Sequence, residues 1–179
     1  SIGLESGWQP VGTPGRVTRA DGSLVHEIDD RPALEFYRRF LGETADPSAD
    51  FPLAILDAVG AVQCIRAPNG SFDLERGSIA FYAEVPEGAS VQITQADREG
   101  ILNGCTQSIT RAFEGYPEGK TPEVALLFSC ATRKLLLGTR INEESHIVKS
   151  VIGQDVPVCG FYSYGEIGPR VGTEGIARF

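Results

Sequence analysis

The sequence predicts an α+β fold, with antiparallel strands followed by a C-terminal βαβ unit and helices packed on a mixed sheet. Short apolar runs separated by Gly, Pro and Asn occupy the first half, and two segments show helical periodicity. The last third reads as strand, helix and strand. With 179 residues and 41% hydrophobic content, the chain can bury one substantial core, so we expect a single domain over 1–179.

The composition excludes several classes of partner. The formal net charge is −8, so no basic face is expected that could displace counterions from nucleic acid or bind an anionic membrane. No apolar run is long enough to span a bilayer, and no signal peptide is evident. The four cysteines lack the spacing of a zinc site and three lie in apolar runs, which favours reduced thiols in the cytoplasm. The chain begins at Ser1 and contains no Met, so we expect a piece of a longer protein.

The first elements are a hairpin and a helix. Residues 17–28 form two strand-like runs around Asp21-Gly22, a pair that favours a type I′ turn. Asp30 can cap a helix with Pro32 in its first turn, and apolar residues recur at helical spacing until Gly42. Four further strands follow, separated by turn residues, and predict an antiparallel meander. These strands span 51–57, 61–67, 77–84 and 89–94.

The second half begins with a helix and continues into the βαβ unit. Thr94 and Asp97 resemble a capping box, and Cys105 lies on the apolar face of a helix that ends at Gly115. The segments 123–129 and 156–162 read as apolar strands on either side of a helix over 142–152. We expect the two strands to be parallel and buried.

Ligands of parallel sheets bind beyond the carboxyl ends of the strands, so the loops over 129–134 and 163–169 are the candidate site. Arg133 can hold a carboxylate and Glu166 an ammonium, so together they suit a zwitterion such as an amino acid. The candidate ligand-binding residues are Ser129, Cys130, Thr132, Arg133, Tyr162, Tyr164 and Glu166.

Five of these residues also have a purely structural interpretation. Cys130 can pack under the end of its strand, and Arg133 can be an exposed, solvated cation. Glu166 can accept backbone N–H bonds in its Gly-rich turn. Tyr162 and Tyr164 alternate with their neighbours and can belong to the core. Because no His follows or precedes Cys130 closely, a catalytic thiol is disfavoured.

Three segments resemble the C-terminal half of the FIST sensory family. Residues 160–169 read Gly-Phe-Tyr-Ser-Tyr-Gly-Glu-Ile-Gly-Pro, similar to a motif near the end of the FIST C domain. Residues 127–131, Leu-Phe-Ser-Cys-Ala, and 31–37, Arg-Pro-Ala-Leu-Glu-Phe-Tyr, resemble two more family segments. The resemblance covers 17–179, with Thr132 standing where family members often have Gly.

The resemblance implies an intracellular bacterial sensory domain that binds a small ligand such as an amino acid. It also implies a preceding FIST N domain and an output signalling domain in the full protein, although no FIST N segment is evident here. It carries over no catalytic residues. Three alternatives remain. One is a haem-binding nitric oxide sensor, with His26 as a better axial candidate than the predicted surface residue His146. The others are an enzyme acting on a small metabolite and a structural or dimerisation module.

Overall fold

The computed structural model describes residues 1–169 and 176–178. It has the predicted α+β composition of helices, antiparallel strands and one parallel strand pair. The chain divides into two compact units. The strand unit comprises residues 9–95, and the helical unit combines residues 1–8 with the chain from residue 96 onward.

The strand unit contains one helix and eight strands. They are β1 Gln9–Asp21, β2 Leu24–Ile28, β3 Arg31–Pro32, α1 Ala33–Leu41, β4 Leu53–Leu56, β5 Val62–Arg66, β6 Pro68–Phe72, β7 Ile79–Phe81 and β8 Ser90–Gln95. The sheet order is β5-β4-β8-β1-β2-β7-β6, and β3 pairs with β2. Every pairing among these strands is antiparallel, as predicted.

The predicted meander is wrong in its strand order, because β8 lies between β4 and β1. The reason is the length of β1, whose 13 residues pair with β8 over 9–16 and with β2 over 17–21. The sequence reasoning also missed β6, which contains a Pro, an Asn and a Gly and therefore lacks a strand-like composition.

The predicted hairpin is confirmed, but its turn is displaced by one residue. Asp21 pairs with Leu24, so the two loop residues are Gly22 and Ser23. Only Gly22 has a positive φ, 59°, which is the pattern of a type II′ turn rather than type I′.

The start of α1 differs from the prediction and its end agrees. Asp30 is not the cap, since it adopts a positive φ of 58° and donates its backbone N–H to Thr18 Oγ1. Pro32 occupies the N-cap position without a side-chain hydrogen bond. The helix ends before Gly42, as predicted. Its buried face carries Phe36 and Tyr37 into the core of the strand unit.

In its described part, 1–8, 96–169 and 176–178, the helical unit contains three helices, a single 3-10 turn and two strand pairs. They are α2 Arg98–Glu114, β9 Ala125–Cys130, α3 Ala131–Leu137, the 3-10 turn Gly138–Arg140, α4 Asn142–Ile152, β10 Val158–Ser163, β11 Ile167–Pro169 and β12 Ile176–Arg178. β9 and β10 are parallel over six residue pairs, as predicted, and α4 has the predicted bounds. β11 and β12 are antiparallel.

The cap of α2 is Asp97, whose carboxylate accepts the backbone N–H of Gly100 at 2.7 Å. Thr94 does not form the predicted capping box, because it is buried in β8 and donates its hydroxyl to the carbonyl of Pro52. Cys105 is buried on α2, as predicted, against α4 residues such as Val148 and Ile152.

The strands β9 and β10 are buried on one face only. Ala125, Leu127 and Val158 pack on the core between α2 and α4. The expectation that both faces are buried is wrong, since Leu126 is 63% exposed and Phe161 is 64% exposed. Side chains alternate along a strand, so each apolar run divides between a covered and an uncovered face.

Close approach of β9 and β10 requires a glycine at position 160. A Cβ built there would lie 1.8 Å from the carbonyl oxygen of Leu127, which is backbone and has little freedom to move. Gly115, which follows α2, offers a matched contrast, because a Cβ there meets nothing closer than 3.7 Å and its φ is −81°.

We therefore expect Gly160→Ala to lower the free energy of unfolding by about 1–3 kcal/mol, as overpacking typically does. Gly115→Ala is expected to change it by less than about 0.5 kcal/mol. Urea denaturation followed by circular dichroism measures both. Equal stability of the two variants would contradict the close approach of the strands.

Candidate functional site

The carboxyl ends of β9 and β10 meet the first turns of two helices. Ser129 lies near the end of β9, and the helix α3 follows at once, where the sequence predicted a loop over 129–134. Cys130 keeps an extended backbone before this helix, which ends at Gly138. A helix of seven residues is too short to show periodicity in sequence, which explains why it was missed.

The centre of the site is Glu144, in the first turn of α4. Glu144 is 1% exposed, and its carboxylate accepts hydrogen bonds from four donor atoms on three side chains. Ser129 Oγ lies 3.1 Å from Oε1 and 3.2 Å from Oε2, and Tyr162 Oη lies 2.8 Å from Oε2. Arg133 donates both Nε, at 3.0 Å, and Nη2, at 2.7 Å, to Oε1.

Arg133 is 7% exposed and has all five of its N–H donors directed at protein acceptors. Besides the two bonds to Glu144, its Nη2 donates to the carbonyl of Ile101 at 3.1 Å. Its Nη1 donates to the carbonyls of Glu5 at 3.3 Å and Ser6 at 3.0 Å. The sequence predicted Arg133 at a ligand-facing rim, and the structure places it inside, where it joins α2, α4 and the segment 1–8.

The buried carboxylate changes the proton affinity of its neighbours. Burial, reinforced by the negative charge of Glu144, raises the pKa of Cys105 to about 11. The thiol also lies 3.7 Å from the carbonyl oxygen of Glu144. Desolvation and the hydrogen bond to Glu144 raise the pKa of Tyr162. Both groups therefore stay protonated at neutral pH, and Tyr162 can donate to the carboxylate.

Tyr162 connects this buried cluster to the surface. Its hydroxyl bonds to Glu144, and the ammonium of Lys134 lies 5.4 Å from the centre of its ring, within the range of a cation–π interaction. Lys134 is exposed on α3, next to the buried Arg133.

Glu166 lies at the outer edge of the site and is half-buried. Its Oε1 accepts the hydroxyl of Ser163 at 2.5 Å. Desolvation raises the pKa of this carboxyl, opposed by the Ser163 bond and by the charge of Arg133. Among residues 1–168, no cationic side chain lies within 4.0 Å of its carboxylate.

The remaining predicted residues differ in how deeply they are buried. Cys130 and Thr132 are half-buried, and Tyr164 is 96% exposed. The structure thus joins Ser129, Arg133 and Tyr162 on one carboxylate and pairs Glu166 with Ser163.

His26, the candidate haem ligand, is half-buried on β2 of the strand unit. His146 is exposed on α4, as predicted. Among the described residues, no group of three or more His, Cys, Asp or Glu side chains is arranged to hold a metal ion. The same residues include no helix long and apolar enough to cross a membrane.

Sequence reasoning missed Glu144, although a signal was present. The helix α4 turns Val148 and Ile152 inward, as predicted, and Glu144 precedes them at intervals of four residues on the same face. Arg133 has the same relation to Leu137 on α3. Two opposite charges on the buried faces of neighbouring helices indicate an internal ion pair.

Models of two protein families match the chain. The model of the FIST C domain matches residues 33–169, and that of the FIST N domain matches residues 1–31. The expectation that no FIST N segment is present is therefore wrong. The first eight of its residues lie in the helical unit, where the carbonyls of Glu5 and Ser6 accept from Arg133.

The chain also resembles uncharacterized mycobacterial proteins. One from Mycobacterium bovis and one from Mycobacterium tuberculosis are each 28% identical over 186 residues, which cover 98% of this chain and 47% of the relative. Another from Mycobacterium tuberculosis is 26% identical, covering 98% and 48%. The chain thus spans about half the length of the curated relatives it matches. No solved structure matches it.

The buried ion pair makes a testable contribution to stability. Arg133→Met and Glu144→Gln should each lower the free energy of unfolding by about 3–5 kcal/mol, because each removes a partner of a buried charge or of its hydrogen bonds. The loss of stability in the double variant should be about 1–3 kcal/mol smaller than the sum of the two single losses. The half-exposed pair Arg140 and Glu143 is the control, and Arg140→Met should cost less than about 1 kcal/mol. Chemical denaturation of the variants measures all four values, and strict additivity would contradict the coupling.

Proposed function

Because the chain belongs to the FIST family, whose domains are generally sensory domains in signal transduction, we propose that it senses a small metabolite bearing an ammonium group. An amino acid is the simplest such ligand. The binding edge lies beyond the carboxyl ends of β9 and β10. The family is a signalling family and not a known family of enzymes.

The observation that carries this proposal is the environment of Glu166. Its carboxylate is partly withdrawn from water, which raises its pKa, and its one hydrogen-bond donor in the described structure is a neutral hydroxyl. A half-buried carboxylate in such a position gains from a cation that supplies the missing charge and donors. A ligand ammonium fits this requirement.

The opposite end of the ligand meets a different cation from the one expected. All donors of Arg133 are occupied within the protein, so an amino acid's carboxylate would meet Lys134, which is exposed over the ring of Tyr162. Arg133 then acts as a positioning residue. It fixes Glu144, which in turn holds the hydroxyl of Tyr162.

The same contacts provide a route from the ligand to the rest of the molecule. Tyr162 bonds to Glu144, Glu144 to Arg133, and Arg133 to the carbonyls of residues 5 and 6. Those residues belong to the segment matched by the FIST N domain model. A ligand that binds one arrangement of Tyr162 better than another shifts the population of this whole chain of contacts.

Removal of the Glu166 charge should weaken binding of an amine-bearing ligand. We expect Glu166→Gln to raise the Kd of the best amino acid found in a calorimetric screen by about tenfold to a hundredfold, the usual effect of losing a charge-assisted bond. Glu123→Gln is the matched control, because Glu123 is an exposed acid just before β9, at the other end of the strand. A screen without binding, or equal Kd values for both variants, would contradict the proposal.

The binding should also depend on pH. Burial raises the pKa of Glu166, so its carboxyl takes up a proton at a higher pH than an ordinary glutamate as the solution is acidified. Affinity for the ammonium is then full above this raised pKa and decreases as the pH falls through it. Calorimetric titrations between neutral and acidic pH measure the decrease, which Glu166→Gln should abolish. A wild-type affinity that is constant over this range would count against Glu166 as the ammonium ligand.

A further inference from the structure

The outward face of β9 and β10 is apolar and uncovered. In the parallel register Leu126 pairs with Cys159, and Phe128 pairs with Phe161. The rings of Phe128 and Phe161 meet edge to face, with their centres 5.0 Å apart. Leu126, Phe128 and Phe161 are 63%, 52% and 64% exposed, and Cys159 is also exposed. These four residues are called the outer face below.

Such a face is unusual for parallel strands, which are normally covered on both sides. A two-stranded sheet is also only marginally stable without packing partners. The inner face of β9 and β10 has such a partner in the core between α2 and α4. The outer face, composed of two aromatic rings, a leucine and a thiol, has the composition of a surface that another polypeptide covers.

From these observations we infer that the outer face docks a FIST N domain that precedes this chain in the same polypeptide. The helical unit already includes residues 1–8, which belong to the segment that the FIST N domain model matches. The family model of that domain covers residues 1–31, and residues 5 and 6 bind Arg133 through their carbonyls. Gly7 and Gly104 also meet closely, since a Cβ at Gly104 would lie 2.8 Å from the backbone of Gly7.

The relatives provide the second argument for this occupant. More than half of each mycobacterial relative lies outside the part that matches this chain, so there is ample polypeptide to form the docked domain. A tether also lowers the contact area that docking requires. A stable complex of separate chains buries roughly 800 Å² on each partner, whereas a linked domain docks at a high effective concentration. The four side chains of the outer face suit the linked arrangement better than a dimer.

Cys159 allows a direct test, because it is an exposed thiol within the outer face, in register with Leu126. The rate of alkylation at Cys159 is measured by peptide mass spectrometry in the 179-residue chain and in a polypeptide that carries the FIST N domain ahead of it. We expect the alkylation rate of Cys159 to be at least roughly tenfold lower in the longer polypeptide, since labelling follows the fraction of molecules with an open interface. Cys105, buried in the core, reports in the same samples that the helical unit is folded.

Two substitutions make the test specific. Leu126→Ser with Phe161→Ser should restore fast labelling of Cys159 in the longer polypeptide while Cys105 remains slow. Tyr82→Ser is the matched control, because Tyr82 is 73% exposed in the strand unit, and it should leave Cys159 protected. Equal labelling of Cys159 with and without the FIST N domain would overturn the inference. Protection that appears in the 179-residue chain and grows with its concentration would assign the face to a second copy instead.

Discussion

The arrangement of the helical unit depends on one buried ion pair, Arg133 with Glu144. Removing two charges from water is costly, and the attraction between them offsets that cost only when the remaining donors and acceptors are also bonded. Here they are bonded, since Ser129 and Tyr162 donate further hydrogen bonds to the carboxylate, and three backbone carbonyls accept the remaining N–H groups of the guanidinium. The pair therefore specifies one arrangement of the surrounding elements, because any displacement leaves a buried charge with unmade bonds.

This constraint determines which residues can meet a ligand. A buried guanidinium with five bonds is not available to a carboxylate from solution unless the cluster opens, so its contribution to recognition is indirect. The groups to which the proposal assigns the ligand are Glu166 and Lys134, and neither belongs to a salt bridge within residues 1–168. The division between a rigid interior pair and an outer pair of opposite charges is what a preorganised binding edge requires.

Much of the fold was predictable because it follows from local patterns. The bounds of α4, the end of α2 at Gly115 and the parallel pairing of β9 with β10 all follow from apolar periodicity and turn residues. Two of the misses have a common cause, which is that tertiary contacts decided between local options. Thr94 bonds across the sheet to Pro52 instead of capping a helix, and β1 serves two partners because of its length.

The candidate site was predictable in position but not in the role of its charges. The rule that ligands bind at the carboxyl ends of parallel strands located the residues, and Ser129, Arg133 and Tyr162 do converge there. Their partner Glu144 comes from the crossover helix, 11 residues after Arg133, so no motif within one loop contains it. In sequence, a charged residue that is paired inside the protein cannot be distinguished from one that faces solvent.

The strand β10 links the outer face to the cluster around Glu144, because its neighbouring residues point to opposite sides. Phe161 belongs to the outer face, and Tyr162 bonds to Glu144 on the inner one. A domain that packs on Phe161 restrains the backbone that positions Tyr162, and a ligand that orders Tyr162 restrains Phe161. If both proposals hold, binding at one surface changes the free energy of binding at the other, and by thermodynamic linkage the coupling has the same size in both directions. A sensory domain needs such a coupling, and a single strand with two differently occupied faces is sufficient to supply it.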